Sequence, residues 1–216
     1  MTPSQACEND TAARVTRSLL GYGALAGPCY VITSVAQGLL RDGFDFRRHE
    51  WSVLATGSYG WIQTANLALT GLMVVAFAAG LSRAAAGAWA PRLIAVLGLG
   101  MIGAAAFRAD PHDGFPAGTP DGPGEVSWHG LLHLATSGIG FLCAVTACFV
   151  LARRYARAGR RTFARASVAV GVLFLLTFAG IASGGGSAGP VLAFCAGVVA
   201  LFGWMAVVAV DRYRTV

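Results

Sequence analysis

From Ala166 to Val210 the chain reads ASVAVGVLFLLTFAGIASGGGSAGPVLAFCAGVVALFGWMAVVAV, 45 residues without an Asp, Glu, Lys or Arg. A helix rises about 1.5 Å per residue, and about 20 apolar residues cross roughly 30 Å of hydrocarbon. The stretch is long enough for two crossings, and Ser183-Gly184-Gly185-Gly186-Ser187-Ala188-Gly189-Pro190 interrupts it where a turn is needed. Toward the N-terminus the same reasoning finds further spans. Between Arg17 and Arg41 lie 23 uncharged residues, between Glu50 and Arg83 lie 32, and Gly130 to Ala152 adds 23. The 15 residues between Arg92 and Arg108 suffice if the helix starts near Pro91 and the two arginines snorkel to opposite interfaces. The pattern predicts an all-α polytopic membrane protein, a six-helix bundle forming a single membrane domain over residues 1–216. A tail over 1–18 precedes helices over about 19–40, 54–81, 91–108, 128–152, 167–183 and 190–210.

Composition agrees. Of 216 residues 56% are hydrophobic and 12% charged, whereas soluble proteins carry about 25% charged residues. This excludes a water-soluble enzyme, a disordered chain and a collagen-like one. The sixteen cations are all arginine. Their placement between apolar runs argues for a membrane and against nucleic acid as the reason for the basic pI near 9.5. Twelve fall on the side of the termini, six of them between Arg153 and Arg165. Four, Arg41, Arg47, Arg48 and Arg108, fall on the other. The asymmetry predicts a multi-pass protein of the plasma (inner) membrane with both termini cytoplasmic. Ser34-Val35-Ala36 has the form of a signal-peptidase site. Cleavage there is not expected, because a 17-residue tail with Glu8 and Asp10 precedes the apolar run and removal would leave an odd number of spans. Cys29, Cys143, Cys148 and Cys195 read as packing residues inside spans, and Cys7 as a reduced cytoplasmic thiol.

The two long outer loops, 41–52 and 108–133, hold all four histidines and seven of the ten acids. His129 and His133, four apart, share a helix face, which is a workable bidentate geometry for a divalent metal. Asp45, His49, Asp110, His112 or Asp113 would have to complete the shell. Structural hydrogen bonding of His133 to the second helix and proton transfer are the other readings. In the second helix Tyr59, Gln63, Asn66 and Thr70 recur at helical spacing and must look into the bundle. They read either as interhelical glue or as a pocket wall for a lipid headgroup. Trp61 and Trp128 fit an interfacial belt or the same pocket wall.

Several motifs resemble a known family. They are Arg41-Asp42-Gly43-Phe44-Asp45-Phe46-Arg47-Arg48-His49-Glu50-Trp51-Ser52, then Gly60-Trp61-Ile62-Gln63-Thr64-Ala65-Asn66, Phe107-Arg108-Ala109-Asp110-Pro111, Gly114-Phe115-Pro116-Ala117-Gly118-Thr119-Pro120 and Ser127-Trp128-His129-Gly130-Leu131-Leu132-His133. Their order and spacing resemble the bacterial membrane-protein family called domain of unknown function 998 (DUF998), over about residues 20 to 210. More distantly, the six-span layout is similar to the Frag1/DRAM/Sfk1 group, implicated in lipid handling. Where the family pattern often has Pro after the loop histidine and Phe-Pro before the later Asp-Pro, this chain has Glu50 and Phe107-Arg108.

Three functional classes follow. The first is a membrane-embedded enzyme acting on a lipid or isoprenoid, by metal-assisted hydrolysis or by acid/base chemistry such as cyclisation. Asp45, His49, Asp110, His129 and His133 would be its catalytic groups, and Tyr59, Trp61, Gln63, Asn66 and Trp128 its substrate contacts. The second is a lipid-binding scaffold or small transporter. The third is a partner subunit with no site.

Overall fold

The computed structural model describes residues 3–184 and 187–216, with side chains from Asp10 onward. The side chain of Cys7, and Gly185 and Gly186 of the expected turn, lie outside the described residues. Six long helices occur among the described residues: α1 (Pro3–Leu40), α2 (Gly60–Arg83), α3 (Trp89–Ala106), α4 (Trp128–Arg157), α5 (Arg161–Ala182) and α6 (Ala188–Tyr213). Each contains a segment long and apolar enough to cross a membrane. Each helix packs on the next in sequence, and α6 returns to pack on α1, which closes the ring. Six crossings bring both termini to one end, where Arg17 lies 6.0 Å from the ring centre of Tyr213.

Lipid offers no hydrophobic drive for helices to associate, so close approach through small residues has to supply it. A methyl group on Gly71 would lie 2.6 Å from the carbonyl oxygen of Gly98, and one on Gly98 would lie 2.7 Å from that of Gly71. Gly100 meets the carbonyl of Thr136 in the same way, at 2.7 Å. These contacts lock α2, α3 and α4 backbone to backbone. Leu25, Ile32, Leu72, Leu99, Ile139 and Leu176 remain exposed around the outside, as a lipid-facing surface requires.

Several boundaries differ from those that charge spacing suggests. The first helix continues back to Pro3, its charged part carrying an Asp10–Arg14 ion pair one turn apart. Residues Trp51–Ala55 form a separate 3-10 turn, and α2 begins only at Gly60. Gly57, at φ +70°, reverses the chain between them, and a Cβ there would meet the Arg41 guanidinium at 2.8 Å. That guanidinium donates to the carbonyls of Leu54 (2.6 Å) and Thr56 (2.7 Å), supplying partners that an apolar turn cannot find in lipid.

At the end opposite the termini, loops 41–59 and 107–127 pack against each other. Phe44 contacts Phe46, His49 and Phe115 at ring distances of 5.2 to 5.3 Å, and Arg41 lies over Phe115 at 4.7 Å. At the terminal end, Arg160 pairs with Asp211, and the Tyr155 hydroxyl donates to the same carboxylate at 3.1 Å, tying the α4–α5 turn to α6.

Candidate functional site

The polar stripe of α2 faces α1. Gln63 accepts from the Gln37 amide at 2.8 Å and donates to Ser34 Oγ at 3.0 Å. Asn66 donates to the Tyr30 carbonyl at 3.1 Å. Gln63, Asn66 and Thr70 are buried, whereas Tyr59 is 63% exposed. Tyr59 precedes the first residue of α2, so the helical spacing that would carry it inward does not extend to it. The stripe joins two helices and borders no part of the central cavity.

His49 is fully buried where the two loops meet. Its Nδ1 accepts from the Asp45 backbone N–H at 3.0 Å. Nε2 therefore carries the proton, which it donates to the Asp113 carbonyl 3.0 Å away. Both ring nitrogens are used by backbone, so His49 staples one loop to the other. The Asp45 carboxylate is exposed and accepts from the Arg47 N–H at 2.8 Å. His112 stands 5.7 Å from the His49 ring, with Nε2 3.3 Å from Glu50 and Nδ1 3.3 Å from Asp113. The hydrogen bond to Glu50 raises the His112 pKa above its ordinary value, and burial lowers that of His49. The two neighbouring imidazoles are pushed toward opposite charge states.

Ser127 caps α4, its Oγ accepting from Gly130 N–H at 3.1 Å, and Asp110 braces that cap. It accepts from Ser127 N (2.7 Å) and Ser127 Oγ (2.6 Å), and a Cβ on Gly130 would collide with its Oδ2. Glycine at 130 is what lets the carboxylate reach the helix start. His129 does not line the cavity: it is exposed and packs on Trp128, ring centres 3.6 Å apart and planes tilted by 34°. His133 is 4% exposed. Its Nδ1 lies 2.8 Å from the Phe107 carbonyl and 3.1 Å from that of Ala104, groups at the end of α3 that have no onward helical partner. Carbonyls only accept, so Nδ1 carries the proton, and in the neutral ring Nε2 keeps its lone pair. The partner of His133 is therefore the C-terminus of α3 and not the α2 stripe.

A cavity of about 630 Å³ occupies the loop half of the ring. Its walls are apolar, with Leu97 and Met101 from α3, Phe141 from α4, Phe178 from α5, and Phe194 and Val198 from α6. Phe141 meets Phe178 and Phe194 edge-on at 5.4 and 5.7 Å. Its mouth is polar, formed by Arg48, Glu50, Asp110, His112, Asp113 and Glu125, and His133 lies in its wall. Leu134 of α4 and Ala182 of α5 line it and are also exposed at the bundle surface, so it opens sideways between those helices.

Of the residues singled out in the sequence, the cavity brings together Asp110, His112, Asp113 and His133. Asp45, His49, His129, Tyr59, Trp61, Gln63, Asn66 and Trp128 do not line it. Trp61 and Trp128 are 68% and 64% exposed at helix starts on the loop end, as belt residues would be. Among the described residues no three His, Cys, Asp or Glu side chains converge to hold a metal ion. The paired ligation expected of His129 and His133 accordingly lacks its remaining ligands, because one ring is exposed and the other is engaged by backbone. Trp51, Glu50, Arg48 and Glu125 line the cavity, and the sequence reading gave none of them a role. The one signal that marked Glu50 was its departure from the family's usual proline.

No curated protein and no solved structure matches the chain. A family model described as protein of unknown function (DUF998) matches residues 24–211, from the first span to the end of the last. The chain belongs to that family.

Proposed function

We propose that the protein binds an amphipathic lipid or isoprenoid from the outer leaflet, with the apolar chain in the cavity and the polar end at its mouth. The observation that carries this reading is the gradient along the cavity, from phenylalanine and leucine walls to a charged rim. Its volume of about 630 Å³ lies within the range of roughly 300–1,000 Å³ typical of small-molecule sites. The sideways opening between α4 and α5 would admit a ligand from the bilayer without passage through water. Continuous helices, α1 running unbroken through Pro28, favour binding over transport by broken spans. The arginine asymmetry supports cytoplasmic termini and an outward mouth. Reporter fusions after Thr215 and within the 116–125 loop should read opposite sides, and the same side from both would overturn the orientation.

A second reading, chemistry on the bound lipid, is favoured by one observation. His133 presents a lone pair in the cavity wall, on a ring whose proton is fixed at Nδ1 by two carbonyls. A base held in that way can take a proton from a ligand that reaches it.

The binding reading is tested by native mass spectrometry of protein released from its own membrane. Gly138 lines the cavity, and the nearest atom a Cβ there would meet is Phe178 Cζ at 3.7 Å, so a larger side chain has room to enter. The wild type should carry one amphiphile per chain and Gly138→Phe should carry none. Equal occupancy in a folded Gly138→Phe protein would sink the proposal.

A further inference from the structure

The rim and the depth of the cavity together bear on which polar end it accepts. Four carboxylates at the mouth, Glu50, Asp110, Asp113 and Glu125, face two cationic groups, Arg48 and His112. Both are already engaged. Arg48 lies 2.8 Å from Asp121 and 3.7 Å from Asp113, and His112 sits between Glu50 and Asp113 at 3.3 Å each. The start of α4, which would otherwise attract an anion, is occupied by the Asp110 carboxylate. A phosphate or diphosphate arriving here would meet an excess of negative charge, with both cationic groups already paired to carboxylates.

Deeper, two groups in the lining remain unused: the buried Trp51 indole N–H, a donor that a hydroxyl oxygen can meet, and an acceptor on His133. His133 is 96% buried, its Nδ1 serves the end of α3, and Nε2 has no hydrogen-bond partner among the described residues. An acceptor set in an apolar wall is matched by a neutral donor, because carrying an ammonium group there would cost its hydration. We infer that the ligand is an uncharged single-chain amphiphile ending in a hydroxyl, such as an isoprenoid alcohol, whose O–H donates to His133 Nε2. The inference rests on the lipid-binding reading and narrows it to one headgroup chemistry.

Two probes that share a tail and differ in the head test it: geranylgeraniol and geranylgeranyl diphosphate, titrated onto the full chain in nanodiscs. The alcohol should bind at least about tenfold more tightly, as expected for one hydrogen bond gained on one side and charge repulsion on the other. His133→Asn keeps an amide N–H near the Nδ1 position and removes the Nε2 acceptor. It should weaken the alcohol about tenfold with little change in melting temperature. Glu125→Arg, at an exposed rim position, should improve diphosphate binding several-fold relative to the alcohol. This variant keeps the test decisive if His133→Asn fails to fold. Equal or tighter binding of the diphosphate by the wild type would overturn the hydroxyl assignment and leave lipid binding standing. So would an unchanged alcohol affinity in folded His133→Asn, or no response of the diphosphate to Glu125→Arg. Binding of neither probe would sink both.

Discussion

Two sets of polar side chains lie within the apolar length of the bundle, and they differ in what their hydrogen-bonding atoms reach. Between α1 and α2, Ser34, Gln37, Gln63 and Asn66 bond to one another and to the Tyr30 carbonyl. One acceptor there, Gln37 Oε1, is left over, and Gln37 does not line the central cavity. Between α3 and α4, His133 uses one nitrogen on backbone, has no partner for the other among the described residues, and lines a space large enough for a ligand. Amides and imidazoles cost similar amounts to bury without partners, so burial alone does not separate glue from site. An unused atom bordering a cavity does.

The comparison can be broken at its closed end first. Gln63→Leu removes the hub of the α1–α2 network and leaves the Gln37 amide only the Thr33 carbonyl at 3.4 Å, while Asn66 keeps the Tyr30 carbonyl. It should cost about 2 kcal/mol, read as a lowered midpoint in thermal or denaturant unfolding, with ligand occupancy unchanged. Lost occupancy at unchanged stability would mean that the network belongs to the site after all. At the open end the pattern should differ. His133→Ala uncaps the end of α3, costing about 1 kcal/mol, and also removes the proposed ligand contact. Stability and occupancy should therefore fall together, and an effect on neither would remove His133 from the account.

A smaller effect concerns pH at the loop junction. The His112 pKa is raised by Glu50, so its contribution to stability is complete below the unfolded value of about 6.5 and lost as pH rises through the folded value. The His49 pKa is lowered by burial. Its contribution is complete above about 6.5 and declines as pH falls from there toward the folded value. The junction should be most stable between these limits, near neutrality. In melting profiles across pH, Glu50→Gln should flatten the alkaline limb and His49→Gln the acidic one. Profiles of both variants parallel to the wild type would contradict the pairing.

The spans were legible in the sequence because a charge inside lipid is costly enough to leave a visible gap. Arg17 and Arg41 bracket the membrane part of α1, and the long run before Asp211 divides at its glycines as expected. Hydropathy does not register a backbone turn, so the apolar Trp51–Ala55 segment reads as the start of α2 although Gly57 separates the two. The same turn removes Tyr59 from a stripe whose other members, Gln63, Asn66 and Thr70, are buried as helical spacing predicts. In the site, the spacing of His129 and His133 placed them on one helix face but could not show what each would meet. The partners of His133 are main-chain carbonyls that α3 exposes only because it stops at Ala106, and no side-chain pattern records a helix end. The mouth was harder still. Glu50 and His112 lie in loops 62 residues apart in sequence, and their juxtaposition depends on how His49, Phe44 and Phe115 fold one loop onto the other.

The central claim is that the space inside the ring, and not the outer surface, holds the lipid chain. Photocrosslinking with geranylgeraniol bearing a diazirine on its tail, followed by peptide mass spectrometry, tests it most directly. The account predicts adducts on Met101, Phe178 and Phe194, competed by unlabelled alcohol. Adducts confined to Leu72, Leu99 and Leu176 on the lipid-facing surface would contradict it.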